Sequence, residues 1–132
     1  MAEEVKKSVI SFMSVNMEYP LDWEEVERMK KLYADRGLKV ELVWIAPDEF
    51  LSKVPHPATP LVPAIFDLRA KWFSETSIGS IRRAIIKNIK LPPLMLDYSI
   101  MVDGYPSHEG RHRAYVSKTY GIEKVPVLVI RR

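Results

Sequence analysis

The chain has 132 residues, enough to bury a core without disulfide or metal support. Hydrophobic residues make up 47% and charged residues 28%, which excludes a disordered tail and fits one globular domain. There is no cysteine, so disulfides, thiolate nucleophiles and cysteine-held zinc or iron–sulfur centres are excluded.

The net charge of +3 is unevenly spread. Residues 1–68 carry 8 basic and 12 acidic side chains, whereas residues 69–132 carry 12 basic and 5 acidic. A basic C-terminal half favours a polyanionic partner, either a nucleotide or DNA. No apolar run reaches the length of a membrane span, and Glu3-Glu4 argues against a signal peptide. The expectation is a cytoplasmic protein with no membrane partner. High charge, ten prolines and no cysteine point toward a thermophilic source.

In chain order, Val5–Val15 is apolar and reads as either a helix or a strand. Asp22 is placed to cap a helix, with Glu25 completing a capping box and Leu21 and Val26 forming a hydrophobic staple. Trp23, Val26, Met29 and Tyr33 recur at helical spacing, which predicts Trp23 and Met29 in the core, and Gly37 ends the helix. Leu38–Ile45 alternates as a strand, and Ala46–Leu51 follows as a turn and short helix. Four prolines between Val54 and Pro63 predict a stiff extended loop, with His56 a surface residue of it. Helices are expected over Asp67–Ser74 and Ser77–Asn88. The second carries the stripe Ile78, Ile81, Ile85 and Ile89, with Arg82, Arg83 and Lys87 facing outward. Leu94–Leu96 and Ile100–Val102 read as two paired strands across Asp97-Tyr98-Ser99.

The chemistry concentrates after Met101. A strand stops at the turn dipeptide Asp103-Gly104, and Glu109–Arg113 opens a helix running to about Tyr120. Gly121 stands where a helix-ending glycine belongs, and Val125–Ile130 closes as a β-branched strand. A helix start presents unpaired N–H groups and partial positive charge. Gly110 permits close backbone approach, and Arg111, His112 and Arg113 supply donors suited to phosphate oxygens. The pattern describes an anion site.

Val102-Asp103-Gly104, Glu109-Gly110-Arg111-His112-Arg113-Ala114 and Gly121–Val127 together resemble the ParB/sulfiredoxin superfamily over the last third of the chain. The resemblance implies an α/β (α+β) ParB/sulfiredoxin-like domain, a small mixed sheet with flanking helices. Residues 38–132 would form that domain, with residues 1–37 a helical extension packed on it. It further implies a nucleotide (CTP, ATP or ADP) bound with Mg²⁺, and an NTPase or phosphotransferase acting with nucleic acid. Glu109, Gly110, Arg111, His112 and Arg113 would bind the nucleotide, and Asp103 or Glu109 would help hold Mg²⁺. His112, Glu49 and Asp103 form the expected catalytic set, with Asp48 the alternative to Glu49 by analogy with the free-serine kinase branch. Partition proteins carry an acidic residue after the glycine where this chain has Arg111, and sulfiredoxins use a cysteine that is absent here.

Two other classes fit the same letters. A ParB-like nuclease or a DNA-binding module would use the basic half on a phosphodiester backbone. His108-Glu109-Gly110-Arg111-His112 also spells H-E-x-x-H, the zinc metalloprotease pattern, which needs both histidines on one stiff helix and a third ligand downstream. Pro106 and Gly110 disfavour that helix, and the extended metzincin pattern fails at Tyr115 and Lys118.

Overall fold

Among the described residues four strands carry the architecture: Lys39–Ile45 (β1), Leu94–Val102 (β2), Tyr105–Glu109 (β3) and Val125–Arg131 (β4). The computed structural model describes residues 17–55 and 78–132. The readings of Val5–Val15, His56, most of the proline-rich stretch and the Asp67–Ser74 helix lie outside the described residues. The strands hydrogen-bond in the order β1-β4-β2-β3. β4 runs antiparallel to β1 and parallel to β2, and β3 runs antiparallel to β2. The fold is thus mixed α/β with a mixed four-stranded sheet among the described residues. Val125-Pro126-Val127-Leu128 are all buried, as a strand flanked on both sides and covered on both faces must be.

Among the described residues four helices flank the sheet: Trp23–Asp35 (α1), Pro47–Ser52 (α2), Gly79–Lys87 (α3) and Arg111–Thr119 (α4). α1 packs on β1, while α2 and α3 both pack on α4. The core gathers Val26, Phe50, Ile81, Ile85, Leu94, Leu96, Val116, Val125, Val127 and Leu128. Tyr19 and Leu21, which precede α1, belong to the same cluster. No helix among the described residues is long and apolar enough to cross a membrane.

The local signals of α1 hold in part. The Asp22 carboxylate accepts from the N–H groups of Glu24 at 3.1 Å and Glu25 at 3.2 Å. The reciprocal half of the capping box is missing, because Glu25 pairs with Arg28 and the Asp22 N–H donates to the Leu91 carbonyl at 2.8 Å. Leu21 and Val26 are both buried, as a staple requires. Trp23 departs from the expectation of a core residue, being 57% exposed. As the first residue of α1 it leans on Trp44 of edge strand β1, with ring centroids 6.4 Å apart.

Two more expectations are corrected. Leu94–Val102 is one continuous strand, not two paired across Asp97-Tyr98-Ser99. Asp97 stays buried within it because its carboxylate accepts from the Ser99 N–H at 2.9 Å and from the Ser99 hydroxyl. The pairing register with β3 shifts between Asp97 and Met101, where this side-chain turn lies. Ile89 is 51% exposed, since Asn88 adopts φ 55° and ends α3 before the apolar stripe reaches it.

Candidate anion-binding site

The element leading into α4 is a strand that sequence periodicity did not show. Asp103 (φ 53°) and Gly104 (φ 83°) both take positive φ, the requirement of a type I′ hairpin turn, and send the chain back as β3. Tyr105-Pro106-Ser107-His108-Glu109 has no apolar alternation; pairing with β2 makes it a strand, with Glu109 opposite Met95 and His108 opposite Leu96. The helix therefore begins at Arg111, not at Glu109. His108 lies on a strand and His112 on a helix, so the H-E-x-x-H letters do not share a helical face. Among the described residues, no group of three or more His, Asp or Glu side chains could hold a metal ion.

Gly110 joins β3 to α4 with φ 109° and ψ 16°. A Cβ there would come within 2.5 Å of Leu94 Cγ and 3.2 Å of an Arg113 guanidinium nitrogen. Its missing side chain therefore has a packing reason, independent of any ligand. No side chain caps α4, and its first backbone bond runs from the Ala114 N–H to the Gly110 carbonyl at 2.8 Å. The helix start thus keeps its electropositive end uncapped.

Over this end lies a cleft of about 340 Å³, lined by Ser80 and Ile81 of α3, Leu91, and the consecutive residues Glu109–Arg113. The five residues expected to bind a nucleotide are thus brought together in one concavity. Arg111 Nε is buried with no hydrogen-bond partner, a costly state for a cationic donor. Arg113 Nε is also buried and unpartnered, but the same guanidinium donates to the Pro93 carbonyl at 3.1 Å. His112 has its pKa held below the usual histidine value of 6.5 by burial and by the charges of Arg111 and Arg113. Both influences favour the uncharged imidazole.

The rest of the expected catalytic set does not converge here. Asp103 sits in the hairpin turn at the far end of β3, roughly 15–20 Å along the strand from Gly110. Glu49 is exposed on α2, and neither residue lines the cleft. Asp48 instead pairs with Lys118 at 2.8 Å, at the other end of α4, about 10 Å along the helix from Arg111.

Residues that sequence patterns did not single out complete the site. Tyr19 is buried, donates its hydroxyl to the Pro92 carbonyl and faces Arg113. Burial pushes its phenol well above the ordinary pKa of 10, with Arg113 partly opposing that shift. No local signal links Tyr19 to Arg113 across 94 positions; only Pro92-Pro93, a segment with carbonyls and no N–H, announces a need for outside donors. Compared with family models, curated proteins and solved structures, the chain matches none of them.

Proposed function

We propose that this protein binds the phosphate of a nucleotide in the cleft at the start of α4, as a ParB-like phosphate-binding domain. The observation that carries the reading is Arg111 Nε, buried without a partner beside an uncapped helix start. A phosphate there would accept from the guanidinium, from the amides of the first helical turn, and from His112. Glu109 opposes an anion, and Mg²⁺ relieves that opposition, since the ion binds through one or two carboxylates together with phosphate oxygens. Glu109 fits as that single protein ligand.

The reading is one of binding. Of the residues expected for catalysis, Asp103 and Glu49 stand away from the cleft, and His112 lines it. Calorimetric titration with CTP, ATP, ADP and inorganic phosphate, each with and without Mg²⁺, tests the proposal. Saturable binding of at least one of them, lost in Arg111→Gln, is expected; no binding by any would overturn it.

A second reading has its own observation. Arg83 and Lys87 stand exposed one turn apart on α3, whose first turn lines the cleft. A nucleic acid could then place one phosphate at Arg111 and others along α3. Fluorescence anisotropy with duplex and single-stranded DNA over a salt series separates the two, because contacts to several phosphates give a steep salt dependence.

A further inference from the structure

The two arginines flanking His112 look equivalent in sequence and are not equivalent in their surroundings. Three successive carbonyls, those of Leu91, Pro92 and Pro93, each receive a donor from elsewhere in the chain. The Asp22 N–H donates to Leu91 at 2.8 Å, the Tyr19 hydroxyl to Pro92, and the Arg113 guanidinium to Pro93 at 3.1 Å. The Leu91 N–H in turn donates to the Pro20 carbonyl at 2.7 Å. Pro92 and Pro93 have no N–H, so they cannot anchor themselves in a ladder, and these outside donors fix their course. That course decides the shape of the cleft: Leu91 lines it, and Leu94, just past Pro93, packs where a Cβ of Gly110 would be. Arg113 thus reaches inward beneath Gly110, whereas Arg111 has a buried Nε and no protein partner for it.

From this division we infer that Arg113 and Tyr19 are positioning residues, which hold the Leu91–Pro93 wall against Gly110 while Arg111 meets the anion. The inference rests on the phosphate-binding reading of the cleft. It assigns a role in that site to Tyr19, which is buried and does not line the cleft.

The test compares Tyr19→Phe and Arg113→Lys with the wild-type chain, after thermal unfolding has shown each to be folded. Inorganic phosphate binding is measured by calorimetry at several NaCl concentrations. Tyr19→Phe is expected to weaken binding by about threefold to tenfold, the worth of one internal hydrogen bond, with an unchanged salt dependence. Arg113→Lys keeps a donor for the Pro93 carbonyl and is expected to bind within about threefold of wild type. Wild-type affinity in Tyr19→Phe, or a loss beyond about tenfold in Arg113→Lys, would overturn the assignment. If Tyr19→Phe does not fold, the Arg113→Lys result decides. A second measurement needs no ligand: in amide NMR spectra, Tyr19→Phe should shift the Gly110, Arg111, His112 and Arg113 resonances. Unmoved resonances would sink the positioning role. A wild-type chain that binds no phosphate while these resonances move would instead refute the binding reading and leave the positioning intact.

Discussion

Gly110 and Leu94 occupy the same space: a Cβ on the glycine would lie 2.5 Å from Leu94 Cγ. With φ at 109°, the backbone is also in a region that side chains rarely adopt. Gly110→Ala is therefore expected to destabilise the fold by about 2–4 kcal/mol, from backbone strain and overpacking together. Urea unfolding measures it. A loss of phosphate affinity with stability unchanged would instead assign the glycine to the ligand.

Arg111 is predicted to behave in the opposite way. Its Nε has no partner to lose, so Arg111→Gln should leave stability unchanged or raise it. Phosphate binding should fall by roughly tenfold or more, the scale of a charge-assisted hydrogen bond. Parallel unfolding and calorimetric titrations separate the two effects.

For His112, a lowered folded-state pKa means that the unfolded chain binds the proton more readily. Above the ordinary value of 6.5 the residue contributes no pH dependence to stability. As pH falls below that value, the unfolded state gains a proton the folded state refuses, and stability declines until the folded-state pKa is passed. His112→Gln should flatten this part of the stability–pH curve. NMR titration of the imidazole should give a midpoint below 6.5 without ligand and a higher one with phosphate bound, because an adjacent anion favours the imidazolium. A midpoint unmoved by saturating phosphate would place the anion elsewhere.

The Asp48–Lys118 pair ties α2 to α4 at 2.8 Å, but both side chains are more than half exposed. A double-mutant cycle with Asp48→Asn and Lys118→Met should give a coupling of about 0.2–1 kcal/mol that shrinks in high salt. Binding at the other end of α4 should not change, since Asp48 does not line the cleft.

Asp22 is expected to matter more than any surface ion pair. Asp22→Ala removes the acceptor for two amides of the first turn of α1 and should cost about 1 kcal/mol. Asp22→Ser should recover most of it, as read from urea midpoints at constant slope.

Much of the fold could be read where local chemistry and tertiary packing agree. The Asp22 cap, the alternation of β1, the apolar run of β4 and the glycines that follow α1 and α4 state their roles in a few residues. β3 could not be read, because Tyr105–Glu109 becomes a strand only by pairing across the Asp103-Gly104 turn. Asp97 broke the reading of β2 because a buried carboxylate satisfied by its own neighbour Ser99 looks, in sequence, like a loop. At the site, the cluster Glu109–Arg113 was visible because consecutive residues at one helix start must lie together. Its supports were not, because Tyr19 and Pro93 reach Arg113 only through folding. Asp103 was misplaced for a related reason: its nearness in sequence to Gly110 is undone by the hairpin between them.

The place of β4 in the sheet has a kinetic consequence. It lies between β1 and β2 yet follows both in the chain, and its register joins Lys39 to Arg131. During synthesis, β1, β2 and β3 are all made before the strand that unites them. Until Val125–Arg131 is available, β1 and the β2–β3 hairpin share no neighbouring strand among the described residues, and Leu94 lacks its partner Val127. Closing contacts across so many residues is slow relative to forming α1 or the hairpin. β1 can therefore share a sheet with the β2–β3 hairpin only once the strand made after all three is in place.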